Sequence, residues 1–383
     1  MKRHERIAMA KEMIRHVESN SEDLAPDSVE FDIGRFTDQK RFEVEKEKIF
    51  LSMPQVLALT ADIPEPNDYY TTTMAGRPIL ITRDRDGKAH AFWNACRHRG
   101  VQLAEDCGHA KSFTCGYHGW TYANDGRLMG VPIPEAFKKE ELAARNLIEL
   151  PCQELYGLIV VHPQPNGELN AEEFLGRMGV HLSDYGLDQI HFVDSLQQEA
   201  RINWKHAVDG GVEGYHVPYL HPETVGPMSG RQFLHVDMGL HHILATPETT
   251  ILNLKDIPEE EWEEWCGHSI SNAIFPNTVL VFGKGIVAMQ RSDPGNHVGV
   301  CNYMFRVYAW GKKGDPANKE MEQGYATFLN KVAIEEDMKI QSNSQVMMES
   351  GIVPDLLFGR KEANLIKMHK NYDLLSGYAK AAE

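Results

Sequence analysis

The sequence has no apolar run approaching the ~18 residues that a bilayer-spanning helix needs. It has no excess of basic charge either. Its 39 Lys and Arg against 55 Asp and Glu leave a formal charge of −16, which would repel a phosphate backbone and excludes nucleic acid as an expected partner. No Gly-rich dinucleotide fingerprint is present, so NADH or a flavin held in the usual way is not expected. Cysteine is scarce, six residues in 383, and Cys107, Cys152, Cys266 and Cys301 show no pairing pattern. That usage suits a reducing compartment without structural disulfides. The opening MKRHERIAMAKEMIRHVESN mixes both charges around Ile7, Met13, Ile14 and Val17, which is helical spacing without a secretory core. The expected location is the cytoplasm.

The informative residues are the two remaining cysteines. Cys96-x-His98 is followed after sixteen residues by Cys115-x-x-His118, in the contexts CRHRG and CGYHGW. Two thiolates and two imidazoles in this order suit a 2Fe–2S cluster of the Rieske kind, in which histidines replace thiolates on one iron and raise the potential. The same donors suit a structural zinc ion. Gly100 and Gly119 at the tip of each half, with Arg99 and Trp120 beside them, favour two loops clamping a cluster. Such a cluster passes single electrons, so the remaining chain must supply an acceptor.

Residues 45–162 contain short apolar or β-branched runs (Val56–Thr60, Tyr69–Thr73, Pro78–Thr82, Ala89–Trp93, Leu158–Val161) separated by turn signals. They predict a small antiparallel β domain around the cluster. From residue 163 the pattern changes. Helical spacing over Ala171–Met178 and Trp204–His216 alternates with strand-like His242–Thr246, Thr278–Phe282, Ile286–Gln290 and Val298–Tyr308. Long helices are expected over Asn318–Ser350 and Gly359–Ser376. The fold class expected is α+β, an antiparallel sheet covered by helices. The predicted division is 1–44, an N-terminal helical segment packing on the catalytic domain, then 45–162 and 163–383.

The acceptor lies in NWKHAVDGGVEGYHVPYLHPE, residues 203–223. If Trp204–His216 is helical, Asp209, Glu213 and His216 share one face. Pro218 then breaks the helix and lets His221 swing back. Two imidazoles with carboxylates nearby and no cysteine favour a non-haem Fe(II) centre with positions open for O₂ and substrate. The other histidines, including His206, His235, His241 and His242, read as surface or hydrogen-bonded residues. The third ligand stays open on periodicity. In AIEEDMKIQ, Glu335, Glu336 and Asp337 are all compatible with a solvated acidic face.

In order, the cluster motif, E-x-Y-H-x4-H and a late acidic helix resemble the oxygenase component of Rieske non-haem iron oxygenases, the ring-hydroxylating oxygenase α-subunit family. The resemblance covers nearly the whole chain. It implies a small Rieske domain plus a helix-grip catalytic domain, with Cys96, His98, Cys115 and His118 on the cluster and His216, His221 and Asp337 on a mononuclear iron. It implies that Glu213 bridges an iron histidine to a cluster histidine of a neighbouring subunit, with Asp209 supporting that link. It further implies a head-to-tail homotrimer, with a ferredoxin or flavin reductase relaying electrons from NAD(P)H. The reaction implied is mono- or dihydroxylation of an aromatic or other ring. N- or O-demethylation of a methylated amine, quaternary ammonium or methyl ether is the alternative within the family, and Glu213 in place of the Asp of many dioxygenases resembles that branch. An electron carrier is the alternative outside it, though a Rieske ferredoxin would end near the cluster domain. Arg97, Arg99 and Lys111 are candidates for donor docking, and Tyr219, Phe275, Val279, Phe282 and Met289 for a substrate pocket.

Overall fold

A computed structural model describes residues 2–262, 266–283, 285–311 and 313–378. The chain folds as two compact units, one built from residues 50–174 with 186–189, the other from 1–49, 175–185 and 190–383. These boundaries fall later than 44/45 and 162/163. Side-chain amides carry segment 163–174 onto the β unit: Gln153 Nε2 donates to Leu169 O at 3.0 Å, and its Oε1 accepts from Ala171 N at 2.7 Å.

The smaller unit is antiparallel throughout. Its five-stranded sheet runs in the order Glu149–Leu150, Ala89–Trp93, Arg77–Arg83, Asp68–Met74 and Cys107–His109. Cys152–Leu155, Leu158–Val161 and Gln55–Leu59 form a second sheet, and Ser112–Thr114, Thr121–Ala123 and Leu128–Gly130 a third. Continuous apolar runs such as Leu158–Val161 are buried on both faces, as such composition requires. Leu80, Phe92, Phe113, Trp120, Tyr122 and Leu147 pack around Cys96 and Cys115.

The larger unit is a seven-stranded antiparallel sheet in the order Ile190–Ala200, Cys301–Trp310, Ile286–Pro294, Thr278–Gly283, His268–Ile274, His241–Pro247 and Leu234–Met238. Helix Arg3–Ser19 buries Ile7, Ala10, Met13 and Ile14 against Leu234, Ala245 and Ile251. Helix Ala363–Ser376 is pinned by Tyr372 Oη donating to Pro276 O at 2.7 Å. A two-stranded pair, Val29–Asp32 with Asp355–Phe358, joins sequence-distant segments too short to show periodicity.

Two expected helices differ. The segment Trp204–His216 is helical only over Trp204–Asp209, because Gly210 and Gly211 follow and glycine disfavours helix continuation. Pro218 starts a second short helix, Val217–Leu220, instead of ending the first, since its missing N–H costs nothing in a first turn. The long stretch expected over Asn318–Ser350 is α-helical at Pro316–Asn330 and Lys339–Glu349, with π-helical turns across Lys331–Met338 between them. Such wide turns recur at functional sites, and these carry Glu336 and Asp337.

Candidate metal centres

The two cluster loops share one backbone design. Cys96 N donates to Val101 O at 2.7 Å and Gly100 N to Cys96 O at 2.9 Å. Cys115 N donates to Trp120 O at 2.8 Å and Gly119 N to Cys115 O at 2.9 Å. Both glycines hold positive φ, 78° and 70°, which side chains resist. The thiols are buried and unbridged, whereas His118 is exposed and His98 half-buried. The imidazoles meet edge to face with centroids 4.6 Å apart, and His98 stacks on Trp120 at 4.9 Å and 5°. Nδ1 of His98 is buried and has no protein partner, as a donor reserved for a metal would be.

Burial, then the Tyr122–Cys96 contact, pushes the Tyr122 hydroxyl well above its ordinary range. The hydroxyl accepts from Arg97 N at 3.0 Å and lies 3.4 Å from Cys96 Sγ. It therefore keeps its proton to offer the sulfur. Among the described residues, only one group of three or more donors is close enough to share a single ion, and it is not this one. A tetrahedral zinc would draw all four donors within about 4 Å of one another. Donors held farther apart, thiols inside and imidazoles outside, fit a two-iron unit.

The single-ion group is His216, His221 and Asp337, whose ligand atoms lie within 4.8 Å of one another. His216 precedes the helix that Pro218 initiates and His221 follows it, so one turn brings both rings together, 5.2 Å between centroids. Asp337 Oδ1 lies 3.0 Å from His221 Nε2 and 3.7 Å from His216 Nε2. On the far side of each ring Nδ1 meets a second carboxylate, Glu213 for His216 and Glu336, at 2.6 Å, for His221. Thr224 Oγ1 donates to the same Glu336 oxygen at 2.7 Å.

Carboxylates have no proton to give, so each Nδ1 carries the hydrogen; with a metal ion between them and Asp337, the two Nε2 atoms would present their lone pairs inward. Burial pushes both imidazoles' pKa down. Glu213 and Asp337 outweigh it at His216, and Asp337 and Glu336 at His221, so both finish above the ordinary value. The pocket thus favours positive charge, and its nitrogen and oxygen donors suit ferrous iron.

Glu336 was indistinct from its acidic neighbours in the sequence. The π turns let consecutive Glu336 and Asp337 address the two nitrogens of one imidazole, a placement that α-helical periodicity does not anticipate.

Asp209 does not share a helix face with Glu213 and His216. It is buried and bonds His369 Nε2 at 2.9 Å, with His206 Nδ1 at 3.8 Å. His369 Nδ1 in turn meets Arg35 Nη1 at 3.1 Å. Burial would raise the Asp209 pKa, but the two histidines overcome it and hold the value down to about 2. Glu213 bonds His216 within its own chain, and its other oxygen accepts from Tyr215 N.

A cavity of about 190 Å³ opens beside the triad, with Val225, Leu244, Ser271, Ala288, Phe305 and Val332 on its walls. A second cleft, about 200 Å³, includes His206, Asp209, Glu362 and Leu365. His216, Glu213 and Asp337 line both, so they form the partition between the two spaces. The aromatic and apolar residues named as pocket candidates are not in the lining of the cavity beside the triad, in keeping with the core reading of such residues. Phe275, Val279, Phe282 and Met289 are core residues of the sheet, and Tyr219 is 68% exposed.

The two halves of the chain match two family models. Residues 53–147 match the Rieske [2Fe-2S] domain and residues 187–375 the ring hydroxylating alpha subunit (catalytic domain). The toluate 1,2-dioxygenase subunit alpha of Pseudomonas putida is 36% identical over 199 residues, 49% of this chain and 43% of that one. The anthranilate 1,2-dioxygenase large subunit of Acinetobacter baylyi is 30% identical over 277 residues, 69% of this chain and 58% of that one. The carnitine monooxygenase oxygenase subunit of Escherichia coli K12 is 32% identical over 194 residues, 49% and 50% of the respective chains. The chain spans about half the length of these curated relatives.

In fold it resembles the quaternary ammonium Rieske monooxygenase CntA, with a TM-score of 0.78 at 21% identity over 93% of this chain and 97% of that one. Naphthalene 1,2-dioxygenase from Rhodococcus sp. gives 0.75 at 21%, covering 98% of each. One chain thus carries a β domain of the Rieske [2Fe-2S] type and an α+β domain of the ring hydroxylating alpha subunit catalytic type. The chain belongs to the ring-hydroxylating oxygenase α-subunit family, whose cofactors are a Rieske 2Fe–2S cluster and a mononuclear iron.

Proposed function

We propose that the protein is the oxygenase component of a multicomponent Rieske system, with Cys96, Cys115, His98 and His118 holding the cluster and His216, His221 and Asp337 holding the iron. One observation carries the reading. A single chain presents both a cluster clamp and a separate His–His–Asp group whose inward nitrogens face one carboxylate beside a cavity. When bound, the cluster supplies single electrons and the ferrous ion binds and activates dioxygen.

The chain's own residues do the positioning. Glu213 and Glu336 fix the tautomer and tilt of the two imidazoles, Tyr122 offers a proton to a cluster sulfur, and the cavity holds substrate against the triad. A ring hydroxylation is the reaction this arrangement suits. Electrons would come from NAD(P)H through a reductase, with or without a ferredoxin. A head-to-tail homotrimer would give the second cleft, walled by Glu213 and Asp209, a role in receiving a neighbour's cluster histidine. Heterologous contacts of that kind close into rings.

The test is anaerobic reduction of the purified protein with dithionite, admission of ¹⁸O₂ with a panel of ring compounds, and product mass. Oxygen gained from O₂ supports the reading. Formaldehyde release from a methylated substrate would place the protein with the demethylating branch. Reversible cluster reduction with about two irons per chain and no oxygenation would leave only an electron carrier.

A further inference from the structure

We propose that the cavity beside the triad selects an uncharged, single-ring substrate carrying one hydrogen-bonding substituent, read by the hydroxyls of Thr246, Ser269 and Ser271; this rests on the oxygenase reading above. The sheet builds the reader. Register pairs Thr246 with Ser269, Ser271 with Val281, Val281 with Ala288, and Gln290 with Phe305. Along these mostly buried strands Thr246, Ser269, Ser271, Val281 and Gln290 are half-exposed, and all five line the cavity.

Volume sets the size. A dry cavity of about 150 Å³ accepts benzene, so about 190 Å³ matches one ring with one small substituent. Charge sets the polarity. No Lys or Arg lines the cavity among the described residues, and its two carboxylates, Glu213 and Asp337, face His216 and His221. Asp337, Glu213 and Glu336 together outweigh the two positive charges of a bound ferrous ion, so a substrate carboxylate would be desolvated without net positive charge beside it. A quaternary ammonium would find one ring, Phe305, where a cage needs several.

Hydrogen bonding sets the substituent. Among the described residues the hydroxyls of Thr246, Ser269 and Ser271 have no hydrogen-bond partner, and Gln290 spends its Nε2 on Ala207 O at 2.6 Å. Covering such hydroxyls with a wholly apolar ring leaves them unsatisfied. An amide, carbonyl or neutral hydroxyl satisfies them.

The test measures binding to the iron-loaded protein by equilibrium dialysis with benzamide, benzoate, phenyltrimethylammonium, toluene and naphthalene-2-carboxamide. Benzamide should bind at least about tenfold more tightly than each of the others. In the S269A/S271A double variant its advantage over toluene should shrink by about tenfold, with the Rieske absorbance retained as evidence of folding; S271A alone serves if the double variant does not fold. Benzoate or phenyltrimethylammonium binding as tightly as benzamide, the naphthalene compound binding as well, or an unchanged advantage in the variants would overturn the inference. Adding reductase, NADH and O₂ to the same samples separates the two readings. Selective binding without oxygenation sinks the oxygenase function and leaves the pocket's selectivity standing.

Discussion

Glu336 and His221 are joined by a 2.6 Å hydrogen bond on the side of the imidazole facing away from Asp337. The bond fixes the ring's tilt and, with a metal bound, would leave the inward nitrogen free to ligate it. Removing such an outer carboxylate weakens metal binding by about 10–100-fold. E336A is therefore expected to lose its mononuclear iron on dialysis against a weak chelator under conditions where wild type keeps it. E336Q, which still offers an acceptor, should fall between. Equal retention in all three proteins would remove Glu336 from the site.

Among the described residues Asp337 is the one carboxylate facing both inward nitrogens. D337A should drop iron from about three to about two per chain while the visible spectrum of the cluster survives. Colorimetric iron and the absorbance spectrum on the same sample decide it. Loss of the visible bands together with the iron would contradict two separate centres.

Tyr122 offers its O–H to Cys96 Sγ at 3.4 Å. Hydrogen bonds to sulfur stabilise the reduced cluster, so Y122F should lower its potential. A bond worth about 1 kcal/mol corresponds to a shift on the order of 40 mV for one electron. Spectroelectrochemical titration reads the change. A potential that stays in place or rises would show that the hydroxyl does not serve the sulfur.

Asp209 has a folded pKa held down to about 2 by His369 and His206 against the opposing effect of burial, below the ~3.9 of an unfolded chain. A depressed acid stabilises the fold above its unfolded pKa and ceases to do so as pH falls through the folded one. D209N should therefore melt lower than wild type at pH 7, and the gap should narrow as pH falls below 4. A gap that stays constant down to pH 3 would show that the ionised form is not what stabilises.

Lys111 is exposed in the cluster domain, whereas Arg97 spends Nη1 on Asn146 O and Arg99 lies over the Tyr117 ring. Reversing the charge in K111E should slow reduction by a donor protein and leave reduction by dithionite alone. Equal rates with the donor protein would exclude Lys111 from docking.

The β domain was legible because its strands are short apolar runs cut by Pro and Gly, and burial of such runs follows from composition. The candidate metal-binding segments stood out in the sequence because thiols and imidazoles at fixed spacings are rare and have few other uses. Asp209 was misplaced because helical periodicity was carried through Gly210 and Gly211, where propensity argues for a stop. The pocket lining was not legible because an aromatic facing the core and one facing a cavity share the same strand pattern. Burial alone distinguishes them, and Phe275 and Phe282 are buried.

The sequence by itself determined which atoms are available for metals, the order of the two domains and the antiparallel character of both, since those depend on residue type and local spacing. The tertiary structure alone decided that Glu336 stands behind His221, that Asp209 belongs to His369, and that serine and threonine hydroxyls face the cavity. Each of these joins residues from segments far apart in the chain, or depends on the π turns at 331–338. Local sequence carries no record of which distant side chain a given turn will meet.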